Sequence, residues 1–122
     1  MLYQGFVKSY DIQIFPSNST GPYGYTRVVA LTGTFGLASL SFIPAGRPIP
    51  PGSKRPGSSD PDIFDLFWPL DDYSAIVDLL RNEKPIAFYF DDTDQSIGVT
   101  TYDPEPVGEN EGDVRLRRVR NP

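Results

Sequence analysis

The chain has 122 residues, a net charge of −5, and neither cysteine nor histidine. Its length suffices for one domain with its own core and no disulfide or metal staple. The missing residue types exclude thiol and Ser-His-Asp catalysis, thiolate- or imidazole-held zinc and a near-neutral imidazole base within one chain.

In chain order, the first half reads as strands. Phe6, Tyr10, Ile12 and Ile14 alternate with polar residues, with Lys8 interrupting the same face, which predicts a half-buried antiparallel strand over residues 5–15. Pro16 to Gly24 is a turn-rich connection. Residues 25–33 are rich in β-formers and apolar on both faces, as a central strand is. Gly33 to Gly36 suggests a tight turn, and Leu37 to Ile43 a third strand that completes a meander. Pro44 to Pro61 holds six prolines and three glycines and is expected to stay out of any ladder, as a mobile loop or an extended arm. Ile63 to Trp68 is a fourth strand, with Phe64, Leu66 and Trp68 on one face.

Tyr73, Ile76, Val77 and Leu80 recur at i, i+3, i+4 and i+7, the apolar stripe of a short helix. Asp71 is its expected cap and Asn82 to Pro85 its end. From Ile86 the period becomes two. Ile86, Phe88 and Phe90 share a face opposite Ala87 and Tyr89, and a turn at residues 91–95 leads to Ile97, Val99 and Thr101. The expected fold is therefore α+β: a mostly antiparallel sheet of five or six strands with one helix on a face, in the order ββββαββ. The whole is one domain, 1–122, ending in an acidic-then-basic tail at 103–122.

The charges are segregated. Residues 1–59 carry Lys8, Arg27, Arg47, Lys54 and Arg55 against Asp11 alone, a net of +4, and residues 60–113 carry a net of −13. The last nine residues restore +4 through Arg115, Arg117, Arg118 and Arg120. Such opposed blocks point to self-association as a homodimer or small homo-oligomer. The arginines offer planar two-pronged donors for phosphates, and with stacking tyrosines such as Tyr89 they make a candidate nucleic-acid-binding set. The structural alternatives for the tail are folding back on the acidic segment before it, or a charged edge strand.

Asp91, Asp92, Asp94 and Ser96 cluster at a hairpin tip in a partial calcium-loop spacing. Ile97 stands where that loop needs glycine, and acidic turn residues bonding their own backbone account for the same letters. The fifteen acids of residues 60–113 nominate no glycosidase-like pair. Lys84 beside Glu83 is either an activated amine, if buried, or a cation serving a helix C-terminus. Asn18-Ser19-Thr20 matches a glycosylation acceptor, which matters only in a secreted chain. No metal, cofactor or catalytic residue is nominated.

Leu80-Arg81-Asn82-Glu83-Lys84-Pro85, followed by an aromatic hairpin and Glu105-Pro106-Val107-Gly108-Glu109, resembles a segment of small uncharacterised bacterial proteins. The strand and helix order is also similar in topology to half of the PC4/Whirly single-stranded DNA-binding fold. Together these features predict a cytoplasmic, non-enzymatic binding or assembly module that acts through protein–protein contacts. Single-stranded nucleic-acid binding through the arginine tail and sheet tyrosines is the alternative, and no membrane association is expected.

Overall fold

The computed structural model describes residues 1–16, 21–56 and 61–101, apart from the side chain of Pro22. Seven strands form one sheet: β1 (Leu2–Ile14), β2 (Arg27–Gly33), β3 (Gly36–Ile43), β4 (Ser53–Pro56), β5 (Asp62–Pro69), β6 (Ile86–Asp91) and β7 (Ser96–Thr101). Helix α1 (Tyr73–Asn82) lies between β5 and β6. The spatial order is β4-β5-β3-β2-β1-β6-β7. All neighbours are antiparallel except β3 and β5, which run parallel from Leu37 beside Ile63 to Ile43 beside Pro69.

Three features depart from the expectation. Among the described residues there are seven strands, the sheet is mixed, and five strands precede the helix. The additional strand is β4, which comes from the proline-rich stretch and pairs Ser53 with Asp65 through to Pro56 with Asp62. Proline is tolerated there because β4 is at the sheet's edge and Pro56 is its last residue.

Alternation puts Val29 and Leu31 of β2, Ala38, Leu40 and Phe42 of β3, and Phe64 and Leu66 of β5 into one apolar cluster. Phe88 and Phe90 of β6 and Val99 of β7 join them. Phe64 packs edge-on against Phe88 and Phe90, at 5.6 and 6.1 Å between ring centroids, although three strands separate β5 from β6 in the sheet. The sheet is therefore strongly curled. The Gly52 amide donates to Gln95 Oε1 at 2.8 Å, and Lys54 Nζ lies 5.2 Å from the Tyr3 ring, so the β4 end is tied back to β1 and to the β6–β7 turn.

Helix α1 adds Ile76, Val77 and Leu80 to the core, as its stripe requires. Each such side chain stabilises by about 1.5–3 kcal/mol when buried. Asp71 does not cap it. A 3-10 turn, Leu70–Asp72, runs straight into the helix, Asp72 takes the N-cap position, and no side chain caps the end. The Tyr73 amide is satisfied by the Leu70 carbonyl instead.

The β1 phase also departs from the expectation. Val7 pairs with Gly33 while Ser9 already pairs with Thr32, so Lys8 is the extra residue of a β-bulge. One inserted residue switches the face of everything after it. Tyr3 and Val7 point inward before the bulge, and Tyr10 and Ile12 after it. Phe6 accordingly lies on the outer face, 42% exposed.

The β2–β3 turn anchors this point. The Phe6 amide donates to Thr34 Oγ1 at 2.9 Å, and the Thr34 amide donates to the Phe6 carbonyl at 3.1 Å. Phe35 folds from the turn into the core against Phe88 and Phe64. Glycine is needed beside it, because a Cβ on Gly33 would strike the Phe6 carbonyl and one on Gly5 would strike Thr34 Oγ1.

Candidate functional site at the open edge of β1

Strand β1 is shared between two partners on opposite edges. Leu2 to Phe6 pair with Asp91 to Ala87 of β6, and Val7 to Ile14 pair with β2. Among the described residues, the β6 side of β1 is covered only as far as β6 reaches. Strand β6 begins at Ile86, preceded by the turn after α1 that includes a cis Lys84–Pro85 peptide, so the chain leaves β1 there. Among the described residues, no strand pairs with the edge of β1 from Lys8 to Ile14 on that side.

Antiparallel alternation identifies the backbone groups on this edge. The Phe15 amide donates to the Thr26 carbonyl at 2.8 Å, so Phe15, and by steps of two Gln13 and Asp11, bond toward β2. The N–H and C=O groups of Tyr10, Ile12 and Ile14 consequently face the open side. Among the described residues that leaves a row of donors and acceptors with no partner strand, the template for adding another strand.

Across from its beginning, at Val7 to Tyr10, stand the last turn of α1 and the turn into β6. The space between is a cleft of about 480 Å³, lined by Val7 to Tyr10 on one wall and by Leu80 to Lys84 with Ile86 on the other. Its base is apolar through Leu80 and Ile86, which are buried, while Tyr10 is half-buried beside it. Three cations line it: Lys8, Arg81 and Lys84.

None of these three has an ion-pair partner among the described residues. The other described cations are engaged. Arg27 lies 4.8 Å over the Tyr73 ring, Lys54 is 3.6 Å from Asp62, Arg55 is 2.9 Å from Asp65, and Arg47 has a partner. Glu83 is the acidic group in the lining and already has a partner.

The acidic hairpin tip is occupied by the protein itself. Asp91 Oδ1 accepts from the Thr93 amide and Asp94 Oδ1 from the Ser96 amide, both at 3.0 Å. The Met1 amine donates to Asp92 Oδ1 and Thr93 Oγ1 at 2.7 Å and to Asp91 Oδ1 at 3.4 Å. The bonds to Asp92, most of all, and to Asp91 raise the amine above its ordinary 8.0. The Thr93 amide, followed by the amine, holds the Asp91 carboxyl below its ordinary 3.8. Among the described residues, no group of three or more carboxylates is arranged to hold a metal.

Tyr3 packs inward on Phe64, Tyr23 on Phe67 and Tyr25 on Phe15, while Tyr89 faces outward with its ring against Gly98. Arg115, Arg117, Arg118 and Arg120 lie outside the described residues. The cleft itself was not visible as a motif. Its sequence signals were Lys8 interrupting an apolar alternation and Pro85 ending a helix just before a strand. Among the described residues no helix is long and apolar enough to cross a membrane. No family model, curated protein or solved structure matches the chain.

Proposed function

We propose that this protein is a non-enzymatic binding module that takes an extended segment of a protein partner as an added strand along the open edge of β1. The reading rests on one observation: the backbone groups of Tyr10, Ile12 and Ile14 face away from β2 with no other strand paired to them among the described residues, and the Tyr10 end of this row opens into the cleft. Strand addition draws affinity from main-chain hydrogen bonds and specificity from side-chain contacts at alternate positions. The cleft supplies both, with an apolar base and a charged rim. Among the described residues it holds no carboxylate pair, and the sequence has no histidine or cysteine to act as base or nucleophile.

Selection of displayed random peptides against the full chain tests the reading, followed by amide exchange with the selected peptide bound. Slowed exchange at Tyr10, Ile12 and Ile14 supports it. Peptides that protect only other segments, or no enrichment at all, refute it. The competing reading, single-stranded nucleic-acid binding, draws on the arginine run at 115–120. It requires labelled single-stranded DNA or RNA to bind steeply with falling salt, and to be lost when Arg115, Arg117, Arg118 and Arg120 become glutamine.

A further inference from the structure

We infer that the segment added to β1 is acidic, with carboxylates at alternate positions that settle on Lys8, Arg81 and Lys84. This rests on the strand-addition reading and adds the chemistry of the partner. Seven lysines and arginines lie among the described residues, and four are engaged elsewhere. The remaining three all line this cleft.

The convergence is not a property of one element. Arg81 belongs to the last turn of α1 and Lys84 to the turn that follows, where cations complement the helix dipole. That account does not extend to Lys8, which the β1 bulge supplies from the opposite wall. A protein with a net charge of −5 repels acidic chains at long range, so three cations without an ion-pair partner among the described residues, gathered at the beginning of an open strand edge, mark the place where such a chain is accepted. Strand geometry fits the same partner. Successive side chains on one face of an added strand stand about 7 Å apart, a spacing that lets several carboxylates reach cations spread along both walls. The lysine at the start of the edge also discourages pairing with basic strands, which selects for charge as well as for extension.

The test is fluorescence anisotropy of the full chain with four labelled probes: an octapeptide alternating glutamate with valine, its lysine counterpart, the acidic octapeptide N-methylated at alternate amides, and a thymidine dodecamer. The acidic peptide is expected to bind, to weaken with salt and to lose about tenfold when Lys8, Arg81 and Lys84 become glutamine, since exposed pairs contribute modestly each. The lysine and N-methylated peptides are expected not to bind. Equal binding of acidic and lysine peptides, with the N-methylated one excluded, overturns the acidic partner and leaves strand addition standing. Equal binding of the N-methylated peptide overturns strand addition and this inference with it. Tighter binding of the dodecamer assigns the cations to nucleic acid and overturns it too. If the acidic peptide binds only after Glu105, Glu109, Glu111 and Asp113 are neutralised, the occupant is this chain's own segment and the partner in trans is refuted. Unchanged circular dichroism and melting of the triple variant exclude unfolding as the cause, and the peptide arms need no variant.

Discussion

Replacing Phe35 by alanine tests the anchoring of β1 at the point where the cleft begins. Phe35 sits in the β2–β3 turn, where a side chain ordinarily meets water, yet it is only 8% exposed. Its ring centroid lies 4.5 Å from that of Phe88 and 6.4 Å from that of Phe64. Truncating a buried phenylalanine costs about 3–5 kcal/mol, through lost transfer free energy and the cavity left behind. A turn can partly close over the gap, so the low end, about 3 kcal/mol, is expected. For a chain of this size that corresponds to a fall in melting temperature of roughly 10–12 °C. Urea denaturation followed by far-ultraviolet circular dichroism gives the free energy, with Phe35→Leu as a milder control expected to cost about 1–1.5 kcal/mol. The Phe6 amide, held by Thr34, should also exchange faster in Phe35→Ala. A loss below 1 kcal/mol would place the ring in water and refute both the packing and the anchoring.

Gly33→Ala should destabilise by about 1–3 kcal/mol in the same urea assay, because its Cβ would meet the Phe6 carbonyl rather than a movable side chain; a neutral outcome would show that β1 and the turn are further apart. Gln95→Ala should cost about 0.5–1.5 kcal/mol and speed exchange at the Gly52 amide, by removing the hydrogen bond that ties the segment before β4 to the β6–β7 turn; unchanged exchange at Gly52 would contradict the closure. The Met1 amine is raised in the fold, so its contribution is complete below about pH 8, its unfolded value, and is lost as pH rises through the folded one. Asp91 is lowered, so its contribution holds above about pH 3.8 and is lost as pH falls through the folded value. Acetylating the amine should therefore flatten the alkaline limb of a melting-temperature profile, and identical limbs with and without acetylation would refute the contact. Self-association through the segregated charges predicts a mass in light scattering that rises with concentration at low salt; a constant monomer mass would remove it.

Where side chains alternate without interruption, the sequence was legible. The Ile86-Phe88-Phe90 face, Ile76, Val77 and Leu80 of the α1 stripe and the Phe64-Leu66 face are buried as their periods require, with Tyr73 partly buried beside them. Three features were not legible, each for a physical reason. The β1 bulge reverses the alternation within one strand, so Phe6 and Tyr10 read as one face when they lie on opposite ones. Strand β4 is fully exposed and carries no apolar signature, so only its ladder with β5 reveals it. Phe35 enters the core through a tertiary fit beside Gly5 and Gly33, which no local pattern encodes. The cleft depends on the first of these: it opens where the bulge and the start of β6 coincide, on elements about seventy residues apart in the sequence.

Native-state hydrogen exchange along β1 in the free full-length protein tests the open edge most directly. The account predicts that the Asp11 and Gln13 amides, bonded to β2, exchange slowly, while those of Tyr10, Ile12 and Ile14 exchange much faster. Slow exchange at all five positions would mean that the edge is already paired, and would contradict the proposal that it receives a partner strand.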